Sequence, residues 1–238
     1  MKTIAILQSN YIPWKGYFDL INMVDEFILY DDMQYTKRDW RNRNKIKTAQ
    51  GLKWLSIPVE VKGKYFQKIN ETKISSKDYL NKHLMTIKQN YSKSKYFKDY
   101  IDIFETLYLN CESVYLSDIN YKFIIAICNI LDIKTKIRFS SEFNLLDGQT
   151  ERLVGICEEC NADIYLSGPS AKNYINESFF IEKNIQIQWM DYSNYSEYNQ
   201  LYLPFEHGVT ILDLIFNEGP NSKKFMKSFS EEISKCNF

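Results

Sequence analysis

Two short apolar runs constrain this chain most: Thr3–Leu7 (TIAIL) and Phe27–Tyr30 (FILY), each halted by polar residues, Gln8-Ser9-Asn10 and Asp31-Asp32. Between them Pro13 marks a turn, and Trp14 to Val24 repeats apolar residues at helical spacing through Tyr17, Leu20, Ile21 and Val24. Strand, loop, helix, strand is the opening of a βαβ unit, whose strands lie parallel in one sheet. In open sheets of that kind the ligand crevice lies beyond the carboxyl ends of the strands. Gln8, Asn10, Asp31 and Asp32 are therefore expected at a crevice.

The same rhythm organises the rest of the chain. Residues 53–59 (KWLSIPV) read as a strand closed by Pro58, and 76–131 is dominated by helical spacing, as in Tyr79/His83/Ile87 and Phe97/Ile101/Phe104. Strands are expected at 136–139, 164–166 and 185–189, and helices at 150–160, 209–216 and 222–233. The fold class that follows is α/β. One domain over 1–238 has a Rossmann-like βαβ core and a largely helical insertion at about 76–131.

Composition narrows the partners. Thirty Lys+Arg balance thirty Asp+Glu, so the chain has no global field with which to hold duplex nucleic acid, and no nucleic-acid partner is expected. The first residues turn polar after MKTIAIL, with no signal-peptide core, and no apolar run is long enough for a bilayer span. The five cysteines, an odd number, read as reduced thiols. Together these predict a cytoplasmic protein without a membrane anchor. Homo-oligomerisation is expected only on the general frequency of oligomers.

Four stretches carry groups suited to chemistry. Gln8 to Tyr17 collects Gln8, Asn10, Tyr11, Trp14 and Tyr17 around Pro13 and Gly16. A strand-to-helix junction offers backbone N–H groups to an anion, and Gly16 in the first helical turn permits close approach of a ligand. The second stretch runs from Asp31 to Lys47 and includes Gln34, Trp40, Asn42 and Asn44. If its end is extended, Arg41, Arg43, Lys45 and Lys47 share one face, a set of cations suited to a diphosphate. The third, Tyr165 to Tyr174, places Ser167-Gly168 before a helix start with Lys172 near it, a second phosphate cradle. The fourth, Ile211 to Pro220, ends a helix, and Asp213 in it is either a site carboxylate or an exposed residue.

Histidine is scarce. His83, on a helix, is the general-base candidate by side-chain chemistry, while His207 before Gly208 reads as a surface turn. Cys157-Glu158-Glu159-Cys160 has no second pair at zinc spacing, so it reads as structural and no metal site is expected.

The run IAILQSNYIPWKGYFDLI, then DEFILYDDMQYTKRDWRNRNKIKT and LSIPV, resembles the WbqC-like family, as do YLSGPSAKNYI and TILDLIFNEGP further on. That resemblance implies a role in bacterial O-antigen, capsule or other surface-polysaccharide synthesis. The activity it implies is transfer of glycine or another acyl group to the amine of a nucleotide-linked aminosugar. On that implication Arg41, Arg43 and Lys45 meet the phosphates, Gln8, Asn10, Tyr11, Trp14 and Tyr17 line the sugar or base pocket, and Asp31, Asp32 and His83 handle protons. The expected partners are a nucleotide-activated sugar and an acyl donor; no donor or cofactor signature identifies either the donor or a cofactor. Two alternatives remain at this stage. The loop with Gly16 and the later Ser-Gly turn are similar to nucleotidyltransferases of the HIGH-motif superfamily, although no histidine stands near Gly16. A non-catalytic subunit that binds a nucleotide sugar is the third reading.

Overall fold

The computed structural model describes residues 1–230 of the chain. The opening unit is β1 (Thr3–Leu7), α1 (Lys15–Asn22) and β2 (Glu26–Leu29), with β1 and β2 parallel and in register from Ile4/Glu26 to Leu7/Leu29. Side chains of a strand alternate between faces. Ala5, Phe27 and Leu29 accordingly enter one core, and Ile4, Ile6 and Ile28 enter another. A strand that feeds two cores has no polar face, which is why both runs are continuously apolar.

β5 (Lys136–Phe139) adds beside β2, and β6 (Ile164–Ser167) and β7 (Gln186–Trp189) add beside β1, all parallel, in the order β5-β2-β1-β6-β7. Strand addition reverses direction at the β1/β6 boundary. This is a Rossmann-like α/β sheet with helices on both faces, and its switch point lies between β1 and β6. The expected strands at 136–139, 164–166 and 185–189 all stand within a residue of these limits.

The connection from β2 to β5 is long. It contains an antiparallel hairpin, β3 (Arg43–Thr48) and β4 (Gly51–Ser56), followed by α2 (Asp78–Tyr91), α3 (Phe97–Leu109) and α4 (Leu116–Leu131). The strand expected at 53–59 therefore belongs to a separate two-stranded sheet and stops at Ser56. Ile57 N–H still donates to Asn42 O at 2.7 Å, the next pair of the same register, but the return bond to Ile57 O comes from the Asn42 side-chain amide instead of its backbone, and the regular ladder ends there. The helical stretch expected at 76–131 is α2 to α4. These helices share the larger core with α1 and with α7 (Leu212–Glu218). On the opposite face α5 (Gln149–Glu159) and α6 (Ser178–Ile181) flank the sheet, and Cys157 and Cys160 are buried there as free thiols.

Two expectations are corrected. The helix after Ser167-Gly168 is a single 3₁₀ segment of five residues, Pro169–Asn173. Its bonds run from Ala171 N–H to Gly168 O and from Tyr174 N–H to Ala171 O, too short a turn to build a helix dipole. The helix expected at 222–233 is replaced, as far as Phe229, by 3₁₀ turns at Gly219–Phe225 and Lys227–Phe229, while 231–233 lie outside the described residues. The buried carboxylate of Asp19 takes the backbone N–H groups of Lys227 and Ser228 at 3.0 and 2.9 Å, so those donors serve a tertiary contact rather than a helix. Among the described residues no helix is long and apolar enough to cross a membrane.

Candidate functional site

The loop that leaves β1 is built to hold one conformation. Ser9 N–H donates to the buried Asp31 carboxylate at 2.8 Å, and Ser117 at the start of α4 donates to its other oxygen. The side-chain amide of Asn120, one turn on, donates to Ser9 Oγ at 3.0 Å and to Arg41 O at 2.9 Å. Tyr11 N–H donates to Trp40 O at 3.0 Å, which stitches this loop to the one after β2. Asp31 is pushed above the usual carboxylate range by burial, with its hydrogen bonds opposing the shift.

Ile12, fully buried, has φ of 41°. A β-branched residue there is strained by about 1–3 kcal/mol, and such strain gathers at functional sites. Asn44 on β3 compensates by donating to Ile12 O at 2.8 Å and Tyr11 O at 3.3 Å.

Beside this loop lies a cleft of about 200 Å³, lined by Asn10, Pro13, Trp14, Trp40, Asn44 and Gly208. Three distant parts of the chain meet there. The last comes from residues 190–211, which hold no regular secondary structure. This segment is pinned by Tyr195 Oη to Asp19 (2.6 Å), Tyr198 Oη to Asp213 (2.8 Å), Thr210 N–H to Lys45 O (2.8 Å) and Ile211 N–H to Pro13 O (2.9 Å). A long irregular segment fixed at four points is a cleft wall rather than a slack connection. Asp213, one of the anchors, is 1% exposed and is not a surface residue of its helix.

The cations gather at the rim. Arg43, Lys45 and Lys47 alternate on β3 as expected, but Arg41 precedes the strand and turns toward Asn10 Oδ1, with Asp39 3.5 Å away. Lys47 is buried under the carbonyl of Pro204. The Arg43 guanidinium lies 4.1 Å from the ring centre of Trp54, and Lys45 Nζ lies 5.2 Å from Trp54 and 5.6 Å from Trp40. Neither Arg43 nor Lys45 has a carboxylate partner among the described residues.

Of the residues expected to bind, Asn10, Trp14 and Trp40 line the cleft, and Arg41, Arg43 and Lys45 stand around it. Asn42 instead holds Ile57 O at 2.8 Å, and exposed Gln34 holds Tyr65 O at 2.8 Å. Gln8 is half-buried at the end of β1, and its carbonyl accepts from Tyr17 Oη at 3.1 Å. The rings of Tyr11 and Tyr17 belong to the core, at 0% and 2% exposure. Gly16 makes room for Trp14 itself: a Cβ there would lie 2.7 Å from Cη2 of the indole. Tyr192 and Tyr195 pack edge-on against that indole at 5.3 and 5.5 Å, which leaves the cleft as the side toward which it can move. Gly16→Ala is expected to displace Trp14 and cost about 1–3 kcal/mol of overpacking, partly offset by the ~1 kcal/mol better helix propensity of Ala. Urea unfolding with tryptophan emission checks this, and an unchanged midpoint and spectrum would refute it.

At the other side of the switch point, Ser167 Oγ is buried and bonded to Tyr165 Oη at 3.3 Å. Gly168 faces Tyr192, and exposed Lys172 lies 5.3 Å from the Trp189 ring.

None of the three residues expected to handle protons lines the cleft. Asp32 accepts from Ser140 Oγ at 2.7 Å and Asn70 at 3.1 Å, with Lys68 3.5 Å away. His83 is 7% exposed, bonds Tyr11 Oη through Nδ1 at 3.0 Å and packs against Tyr79 and Tyr108.

Sequence reasoning singles out Asn44, beside Trp40 and Asn42, but misses Trp54 and reads His207 only as a surface turn. Trp54 stands directly opposite Lys45 across the hairpin, a relation visible only once β3 and β4 are paired. His207 is half-buried against Phe205, 4.6 Å between ring centres, and its Nδ1 is buried with no partner among the described residues. Burial first, and then the charge of Lys15, hold its pKa below the ordinary histidine value.

Residues 8–225 match the WbqC-like protein family. An uncharacterized protein of Mycobacterium tuberculosis, Rv1507c, is 49% identical over 227 residues, covering 95% of this chain and 98% of its own length. No solved structure matches the chain.

Proposed function

The chain belongs to the WbqC-like protein family, and on that footing we propose that it transfers an acyl group, such as glycyl, to the amine of a nucleotide-activated aminosugar in surface-polysaccharide synthesis. The observation that carries this reading is the cleft of amides and indoles beyond β1, rimmed by Arg41, which Asp39 faces at 3.5 Å, and by Arg43 and Lys45, which have no carboxylate partner among the described residues. Amides meet sugar hydroxyls, indole faces meet the apolar face of a pyranose, and unpaired cations meet phosphate. In this reading Asn10 and Trp14 hold the sugar, and Asn44, whose amide is taken up by Tyr11 O, Ile12 O and Lys45 N–H, holds the loop that carries them. Arg41, Arg43 and Lys45 hold the phosphates.

An ammonium cannot attack an acyl carbon, so the acceptor amine must first lose a proton. His207, next to the cleft-lining Gly208, is assigned that proton. Its depressed pKa keeps the imidazole neutral and able to accept near neutral pH. Both carboxylate oxygens of Asp31 are held by Ser9 N–H and the Ser117 hydroxyl, and His83 Nδ1 is bonded to Tyr11 Oη deep among the tyrosines, which supports a positioning task for them instead.

The test is calorimetry with a nucleotide-linked aminosugar, followed by mass spectrometry after an activated acyl ester is added. Acylated sugar is the expected product; binding with an unchanged mass favours the non-catalytic subunit. Arg43→Ala is expected to weaken binding by about 1–3 kcal/mol, the range for a lost charge-assisted hydrogen bond. An unaltered dissociation constant removes Arg43 from the phosphate site.

A further inference from the structure

The cleft is too small for the whole of its proposed ligand. About 200 Å³ falls below the ~300–1,000 Å³ of sites that enclose a drug-sized molecule. It accommodates a group the size of one monosaccharide, and the remainder of a nucleotide sugar must lie outside. Trp40, which lines the cleft, leads directly to a surface suited to that remainder.

Trp40 and Trp54 are each 41% exposed, with ring centres 5.5 Å apart and planes inclined by 36°. That spacing is a contact pair, so the two indoles form one platform with no slot between them. Large exposed aromatics on a hairpin are costly to leave bare unless they are used. The placement of Trp54 comes from the ladder, where Lys45 pairs with it across β3 and β4 and so shares its face, while Trp40 is tied by its carbonyl to Tyr11 N–H. Lys45 and Arg43 lie against the same indoles and have no carboxylate partner among the described residues. The Arg43 side chain is further steadied by its bond to Arg38 O. Indoles that stay 41% exposed with held cations lying over them, neither cation having a carboxylate partner among the described residues, suit a planar ring that carries phosphate.

We infer that the Trp40–Trp54 platform is a nucleoside-diphosphate subsite, in which the nucleobase stacks on the indoles and the diphosphate meets Lys45 and Arg43. This rests on the nucleotide-sugar reading for its place in a reaction, but it concerns binding alone. Trp54, absent from the motifs of the sequence, becomes the residue that selects nucleotide-linked sugar over free sugar phosphate. Sugar rings also stack on tryptophan, so the platform's preference for a nucleobase over a hexose is the point to be tested.

The experiment is a titration of the full chain, followed by tryptophan emission and by calorimetry, with UDP, GDP, ADP and dTDP separately. Inorganic diphosphate, the free nucleosides and a hexose 1-phosphate serve as comparisons. At least one nucleoside diphosphate is expected to bind more tightly than inorganic diphosphate and the hexose phosphate. Trp54→Ala is expected to weaken it about tenfold or more, and Trp54→Phe by less, because stacking on an aromatic face tolerates a change of ring. Lys45→Ala is expected to weaken the diphosphate about tenfold and leave the nucleoside nearly unchanged. Thermal melts confirm that each variant is folded. The inference is overturned if the hexose phosphate binds as well as every nucleoside diphosphate, or if folded Trp54→Ala binds them like the wild type. Its failure is separable from that of the transfer reading. Diphosphate binding with no acylation of any aminosugar leaves the platform and removes the transferase. Acylation of a nucleotide-free aminosugar, unaffected by Trp54→Ala, does the reverse.

Discussion

Asp31→Ala is expected to lower stability by about 3 kcal/mol, because two buried donors each lose their acceptor at about 1–3 kcal/mol apiece, less the relief of no longer burying a carboxylate. The donors are Ser9 N–H at 2.8 Å and the Ser117 hydroxyl, and Asp31 is 1% exposed. For a chain of this length that is a fall in Tm of about 6–12 °C, at about 2–4 °C per kcal/mol. Asp31→Asn keeps an acceptor oxygen and is expected to lose less. Since Ser9 opens the loop that supplies Asn10, Pro13 and Trp14 to the cleft, ligand binding should weaken along with stability. A melting temperature for Asp31→Ala within about 2 °C of the wild type would contradict this account.

The second large effect is acid sensitivity carried by His83. Burial holds its imidazole down at about 4, against about 6.5 in an unfolded chain. Between those values the unfolded state binds a proton that the folded state refuses. The folded pKa of this base is depressed, so its contribution is fully present above pH ~6.5 and is lost as pH falls toward 4. At about 1.4 kcal/mol per unit the whole loss is about 3 kcal/mol. The hydroxyls around it, Tyr11, Tyr79 and Tyr108, are pushed upward by burial and do not titrate in this window. Denaturant unfolding of wild type and His83→Gln from pH 4 to 7 checks the point. The two curves should converge in acid, His83→Gln being the less pH-dependent, and parallel curves would refute it. Asp31 and Asp213, raised by burial, act in the opposite sense and are common to both proteins.

Legibility followed the range of the interaction. β1, α1, β2, β5 and α5 are legible because each is written locally: β1 and β2 carry apolar runs buried on both faces, the edge strand β5 alternates Lys136-Ile137-Arg138-Phe139, and a helix against a sheet has an apolar stripe. The end of the chain was misread for the same reason. Its spacing favours a helix, but the Asp19 carboxylate, two hundred residues away, takes the N–H groups of Lys227 and Ser228. Side-chain direction was beyond sequence as well. Tyr11 and Tyr17 carry the aromatic character of a binding loop, yet Tyr11 points to His83 and Tyr108 and Tyr17 to Phe27.

The sequence by itself therefore determined the parallel α/β core, the helical stretch between its halves, and the fact that amides, aromatics and cations crowd the loops after β1 and β2. Tertiary structure decided which of those groups share a space. It turned Arg41 toward Asn10, set Trp54 beside Lys45 through the β3–β4 register, and brought Gly208 to the cleft on a segment with no periodicity to read. The physical reason is that backbone periodicity is local and encoded within a few residues. A cleft is made by loops whose conformations are fixed by hydrogen bonds to partners far along the chain.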